Sequence, residues 1–187
     1  FLWAGLCMGL GFYTYFASRG VPLIILAFVL YLALFYRARL RRLWPGLLFI
    51  FLLAALLALP LLLTLQQLPG ADARVAEVAV PVVAAREGDY EPLLRHIVIT
   101  LSMFHGNGDD EFLYNIPHRP VFGPVGALFF WTGVLIAAWL ALQPLLRRNG
   151  GRRDAEEPYS LAAAFLLLWW LAGISPGFLS VPPASLG

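Results

Sequence analysis

The chain has no lysine, a single cysteine and few charges of either sign: 13% of its 187 residues are charged. Each shortage excludes something. Cys7 stands alone in an apolar stretch, so no intrachain disulfide and no paired-cysteine redox motif can form, and cysteine use gives no compartment signal. Too few polar residues are present to cover a soluble protein of this size, and a hydrophobic content of 60% with a mean hydropathy of +0.77 is far outside soluble averages. No charged region precedes the first apolar residues, so they do not read as a signal peptide. There is no glycine-rich phosphate loop after a strand, no Walker sequence, no basic-aromatic pattern of a nucleic-acid binder, no internal repeat and no low-complexity tract. Nucleic acid is therefore not an expected partner.

What is present is charge confined to short stretches. Residues 1–18, 20–36, 43–71, 120–146 and 158–187 carry none. An apolar run above about 18 residues can cross a ~30 Å hydrocarbon core as a helix. The expectation is an all-α membrane protein, a polytopic helix bundle of about four full spans at 22–36, 43–65, 121–146 and 159–179. Residues 1–10 read as a partial N-terminal helix, and 11–21 as a polar-aromatic turn. Pro22 suits a first helical turn, Pro60 predicts a kink, and Ser175–Pro176 and 180–183 predict a break in the last span. Gly5 and Gly9 read either as a small-xxx-small contact for close helix approach or as the glycine that membrane helices tolerate anyway. Both ends look cut, and the chain reads as an internal or truncated piece of a longer membrane protein.

Arginine counts orient the spans. The expected loops 37–42 and 147–158 hold four arginines each and are separated by two spans, so both belong on one face, the cytoplasmic one. The turn at 11–21 and the long segment 66–120 then lie outside, in a cell membrane of inner or plasma type whose active face is extracytoplasmic. Within that segment 74–83 reads as extended. Leu93, Leu94, Ile97, Val98, Leu101 and Phe104 recur at helical spacing, with Arg95 and His96 on another side, which predicts a helix lying in the interface.

Few residues can carry chemistry. Arg19 sits outside, against the arginine bias, and its guanidinium suits bidentate phosphate recognition; it reads equally as an interfacial arginine snorkelling between aromatic anchors. Tyr13 and Tyr15 share its turn and can donate hydrogen bonds or stack on a sugar. His105, Asn107, Asp109, Asp110 and Glu111 lack metal-ligand spacing and read better as a solvated turn, although a divalent metal stays open there. Asn115, His118 and Arg119, between prolines, either fix a lipid phosphate or cap the next helix.

Three segments resemble a known family. GLGFYTYFASRGVPL at 9–23 is similar to the G-x-x-x-Y-T-Y-x-x-x-R-x-x-P-L stretch of bacterial family-39-type membrane glycosyltransferases, relatives of the protein O-mannosyltransferases and the lipid A aminoarabinose transferase. Residues 100–134 resemble that family's mF…gd…hN-x-P-g-x-P segment, and PGFLSVPPASLG at 176–187 its P-G-x-L-S-x-x-x-P segment. Tyr114, His118 and Gly123 depart from the pattern, which more often has His, Gly and Asp there. The resemblance implies a GT-C fold and sugar transfer from a polyprenyl-phosphate donor to an acceptor outside the cytoplasm. It places the catalytic carboxylate in an outer loop upstream of Phe1, so the missing N-terminal part of the same chain is an implied partner, beside the bilayer and the lipid-linked donor. No residue here is then catalytic, and no metal ligand is assigned. Tyr13, Tyr15, Arg19, Asn115 and Arg119 are the implied donor-binding residues. A transporter or lipid flippase is the alternative, though no span contains an acidic residue for an ion relay; a non-enzymatic scaffold is a third reading.

Overall fold

The computed structural model describes residues 1–14, 16–67, 80–106, 118–146 and 153–179. Among these every regular element is helical: α1 (Leu2–Gly11), a 3-10 turn (Phe16–Gly20), α2 (Val21–Phe35), α3 (Arg37–Gln67), α4 (Val80–Arg86), α5 (Glu91–Ser102), α6 (Pro124–Leu146) and α7 (Arg153–Leu179). Four stretches are long and apolar enough to cross a membrane: Ser18–Phe35, Arg37–Gln67, Pro124–Leu146 and Pro158–Phe178. At most 22% of the most apolar stretch of any of them is buried among the described residues, so they present largely exposed apolar surface. The chain is an all-α membrane-spanning bundle with one shorter apolar helix, α1, at its N-terminal end.

Two compact units divide the chain, Phe1–Ala71 with Ala141–Trp169, and Asp72–Leu140 with Trp170–Gly187. In the first, α1 and α3 run parallel and in close contact. A methyl group placed on Gly5 would lie 3.0 Å from Leu53 Cδ2, and one on Gly9 would lie 2.8 Å from Leu57 Cβ and 3.1 Å from Ala54 Cα. The Gly5/Gly9 pair is thus a packing device: with little hydrophobic drive between helices in lipid, small residues that let backbones approach supply the dispersion contact. Met8, Ile50 and Ala54 are buried at this seam, with Val21 and Ile25 of α2 packed against them. Elsewhere in the unit, Phe28 of α2 meets Phe165 of α7 edge-on at 5.4 Å.

The joint between α2 and α3 corrects an expectation. Residues 37–42 form the first turns of α3, not a loop, and Tyr36 (φ −133, ψ 50) is the only non-helical residue between the two helices. The Tyr36 amide closes on Leu32 O at 2.8 Å and Arg37 Nε donates to Ala33 O at 3.0 Å, covering carbonyls that α2 leaves open at its end. Arginines at a helix start oppose the helix dipole, but Arg37, Arg39, Arg41 and Arg42 are exposed, where that cost is small. The expected loop 147–158 is shortened in the same way, because α7 begins at Arg153.

The predicted break at Ser175–Pro176 does not occur; α7 continues to Leu179. Proline at 176 deprives the Ala172 carbonyl of its helical N–H, and the Ser175 hydroxyl donates to that carbonyl at 2.8 Å instead. Residues 180–183 lie outside the described residues.

In the second unit, 80–83, expected to be extended, belong to the helix α4, while 74–79 lie outside the described residues. Gly88, at φ 95, takes the left-handed conformation that ends α4, and Asp89 Oδ1 accepts from the Glu91 amide to start α5. α5 is amphipathic as expected: Leu94 and Val98 are exposed. His96, however, shares the half-buried face with Thr100, while Arg95 is exposed, so the two do not point alike. A methyl on Gly177 of α7 would sit 2.8 Å from Thr100 Cγ2, which marks the close approach that seats α5 on α7.

Candidate functional site

The polar turn after α1 holds two of the expected site residues. The helix ends because three successive amides fold back: Phe12, Tyr13 and Thr14 donate to Gly9, Leu10 and Gly11 carbonyls. Gly11 O then collects two hydroxyls as well, Thr14 Oγ1 at 2.8 Å and Ser18 Oγ, and the two hydroxyls lie 3.3 Å apart. This short polar knot draws the 3-10 turn back over the end of α1. Arg19, at its end, is half-buried and its Nε donates to Phe12 O at 3.4 Å. The Nε bond ties the guanidinium to the turn, and a guanidinium is a group suited to recognising planar or tetrahedral anions.

Tyr13 belongs to the same turn but looks the other way. Its hydroxyl donates to Leu57 O of α3 at 2.8 Å, while half of the residue stays exposed. The phenol proton is committed to the scaffold, leaving an exposed ring and the oxygen's acceptor lone pairs for any ligand. Tyr15 lies outside the described residues. So do Asn115 and the acidic cluster Asp109, Asp110 and Glu111, together with Asn107. Among the described residues no group of three metal-ligating side chains comes together.

Arg119 is in the second unit, exposed, and follows His118, whose φ of 62 places it in the left-handed region. The chain there is pinned: Val121 N donates to Met103 O at 2.8 Å and Phe122 N to Phe104 O at 3.3 Å. This brings Phe122 onto an aromatic cluster that the sequence reading did not foresee. Buried Phe104 stacks on Phe130 at 4.6 Å and on Phe122 at 6.3 Å, with Trp131 and Trp170 edge-on or tilted around it at 6.1 Å. Trp131 Nε1 donates to His105 Nδ1 at 3.3 Å. The signal in the sequence was the set of adjacent aromatic pairs Phe104–His105, Phe130–Trp131 and Trp169–Trp170. Among the described residues Trp170 Nε1 is buried without an acceptor, and the rings of Phe130 and Trp131 stand edge-on to its indole.

The structure therefore gathers Tyr13 and Arg19 on one turn of the first unit and places Arg119 beside an aromatic cluster in the second. One further polar group was missed: Gln143, next to Pro144 in α6, is buried with Oε1 unpartnered. Comparison with known proteins returns no significant match among family models, curated proteins or solved structures.

Proposed function

We propose that the chain is part of a membrane glycosyltransferase of GT-C type, transferring a sugar from a polyprenyl-phosphate donor to an acceptor on the extracytoplasmic side, and that it contributes donor binding. The observation that carries this reading is Arg19, an arginine in a turn at the end of a membrane helix, tethered through Nε by a turn built of hydroxyls. Departure of a polyprenyl phosphate develops negative charge on phosphate oxygen, and a pre-set cation lowers the barrier to that step. The half-exposed Tyr13 ring of the same turn offers a face for a sugar. Position 118 is a departure from the family pattern, but its backbone is compatible with the residue expected there. The family pattern has glycine there, and the backbone of this chain takes at that point the left-handed conformation that glycine favours.

In the full-length protein reconstituted with a labelled polyprenyl-phosphate sugar, Arg19→Ala should reduce transfer by about 100-fold or more, with Arg19→Lys recovering only part. Unchanged transfer removes Arg19 from the donor site. The transporter reading draws on the proline-interrupted helices α3 and α6; uptake of labelled substrate without covalent product would favour it.

A further inference from the structure

Two tyrosines in different parts of the first unit make the same unusual bond. Tyr13 donates to Leu57 O of α3, and Tyr31 of α2 donates to Ala141 O of α6, each at 2.8 Å. Each acceptor lies three residues before a proline inside its helix, Pro60 and Pro144. A proline within a helix has no N–H for the carbonyl four residues back, and its ring forces the preceding turn open, so the next bond, to the carbonyl three residues back, is weakened too. In water such a carbonyl would be solvated. In a bilayer it needs a protein donor, and in both helices a neighbouring tyrosine hydroxyl provides one.

The sequence positions both donors. Gly9 lets Leu57 approach α1 closely, and Tyr13, one turn further along, then lies over the Leu57 carbonyl. Tyr31 is held by Phe35 at 5.0 Å and Tyr36 at 5.9 Å, which steer its hydroxyl toward α6. Ala141 is itself buried, so no bulky side chain blocks the approach.

We propose that α3 is hinged at Pro60, and that Tyr13 is the latch that holds the hinge closed; α6 ends two residues after Pro144, so the Tyr31 bond secures only its last turn. The latch is one hydrogen bond from a residue outside the hinged helix. Releasing it frees the half-helix beyond Pro60 to tilt. Tyr13 sits on the turn that also carries Arg19, so a change in that turn is transmitted to α3 through a single hydroxyl. The device does not depend on which reaction the protein performs.

Spin-label distances test this in the full chain, in lipid nanodiscs, with exposed Cys7 first replaced by serine. One label pair, at exposed Leu48 and Leu63, brackets Pro60; the other, at exposed Leu128 and Leu146, brackets Pro144. Fifteen helical residues separate the first pair, a span of about 22 Å that pulsed measurements read well. Tyr13→Phe, which removes only the hydroxyl, should roughly double the width of the Leu48/Leu63 distribution and leave the other pair unchanged, and Tyr31→Phe, as a control, should leave the Leu48/Leu63 pair unchanged. Adding Pro60→Ala to Tyr13→Phe should restore the narrow distribution, because the repaired helix needs no outside donor; it also restores folding if Tyr13→Phe alone fails to fold. An unchanged width or broadening of both pairs with Tyr13→Phe, broadening of the Leu48/Leu63 pair by Tyr31→Phe, or no rescue by Pro60→Ala would each overturn the proposal.

Discussion

Replacing Gly9 by alanine adds one methyl group at the tightest point of the α1–α3 seam. That methyl would stand 2.8 Å from Leu57 Cβ, 2.9 Å from Leu57 Cδ1 and 3.1 Å from Ala54 Cα. Two of these atoms are backbone or fixed to it, so no rotamer change clears them and α1 must move away from α3. Overpacking of this kind costs about 1–3 kcal/mol, and the shift also strains the 2.8 Å bond from Tyr13 to Leu57 O, worth roughly 0.6 kcal/mol in a membrane helix pair. Against that stands the gain of about 1 kcal/mol that alanine brings over glycine inside a helix. The net expectation is a loss of roughly 1–2.5 kcal/mol. Two controls use the same substitution. At Gly5 the nearest atom, 3.0 Å away, is the far end of Leu53, which can turn aside, so the loss should be under about 1 kcal/mol. At Gly133 nothing lies within 4 Å, and alanine should stabilise by about 0.5–1 kcal/mol. Unfolding free energies from steric trapping in bicelles would rank the three. Gly9→Ala as stable as the parent, or no less stable than Gly133→Ala, refutes the packing argument.

Two further outcomes are expected. His118→Gly should keep or raise stability by up to ~1 kcal/mol while His118→Val lowers it by about 1–2 kcal/mol, since a β-branched residue resists the left-handed backbone; thermal unfolding in detergent distinguishes them, and equal values would mean the position tolerates any conformation. Gly177→Ala should push α5 off α7 by driving a methyl into Thr100 Cγ2 and Oγ1, 2.8 and 2.9 Å away, and make α5 more accessible to protease; Thr100→Ala in the same chain should reverse it, and failure to do so would place the clash elsewhere.

The spans were legible because charge is excluded from lipid at high cost, so a charge-free run marks its own helix. Their ends were less so. Arginines 37–42 read as a loop because charge and loop usually coincide at a membrane surface, yet the carbonyls left by α2 need only one residue, Tyr36, and the Arg37 side chain before helix resumes. Ser175–Pro176 read as a break because the sequence shows the missing N–H and not where the serine hydroxyl goes. At the site, Arg19 stood out as a charge that topology does not explain. The bond from Tyr13 to Leu57 did not, because 44 residues separate the partners and nothing local links them. The aromatic cluster around Phe104 escaped for the same reason: in a chain with 14% aromatic residues, rings that gather look no different from rings that anchor in the headgroup layer.

The single-residue joint at Tyr36 has a consequence for access to the Arg19 turn. With no slack between them, the end of α2 and the start of α3 lie side by side. α2 has 15 residues and α3 has 31, or about 22 Å against about 46 Å. The shorter helix therefore stops well below the far end of the longer one. The bond from Tyr13 measures the drop: Leu57 lies ten residues before Gln67, about 15 Å down the helix. The turn is thus set back from the far end of α3 by nearly three helical turns, and anything that reaches it from that end passes along α3.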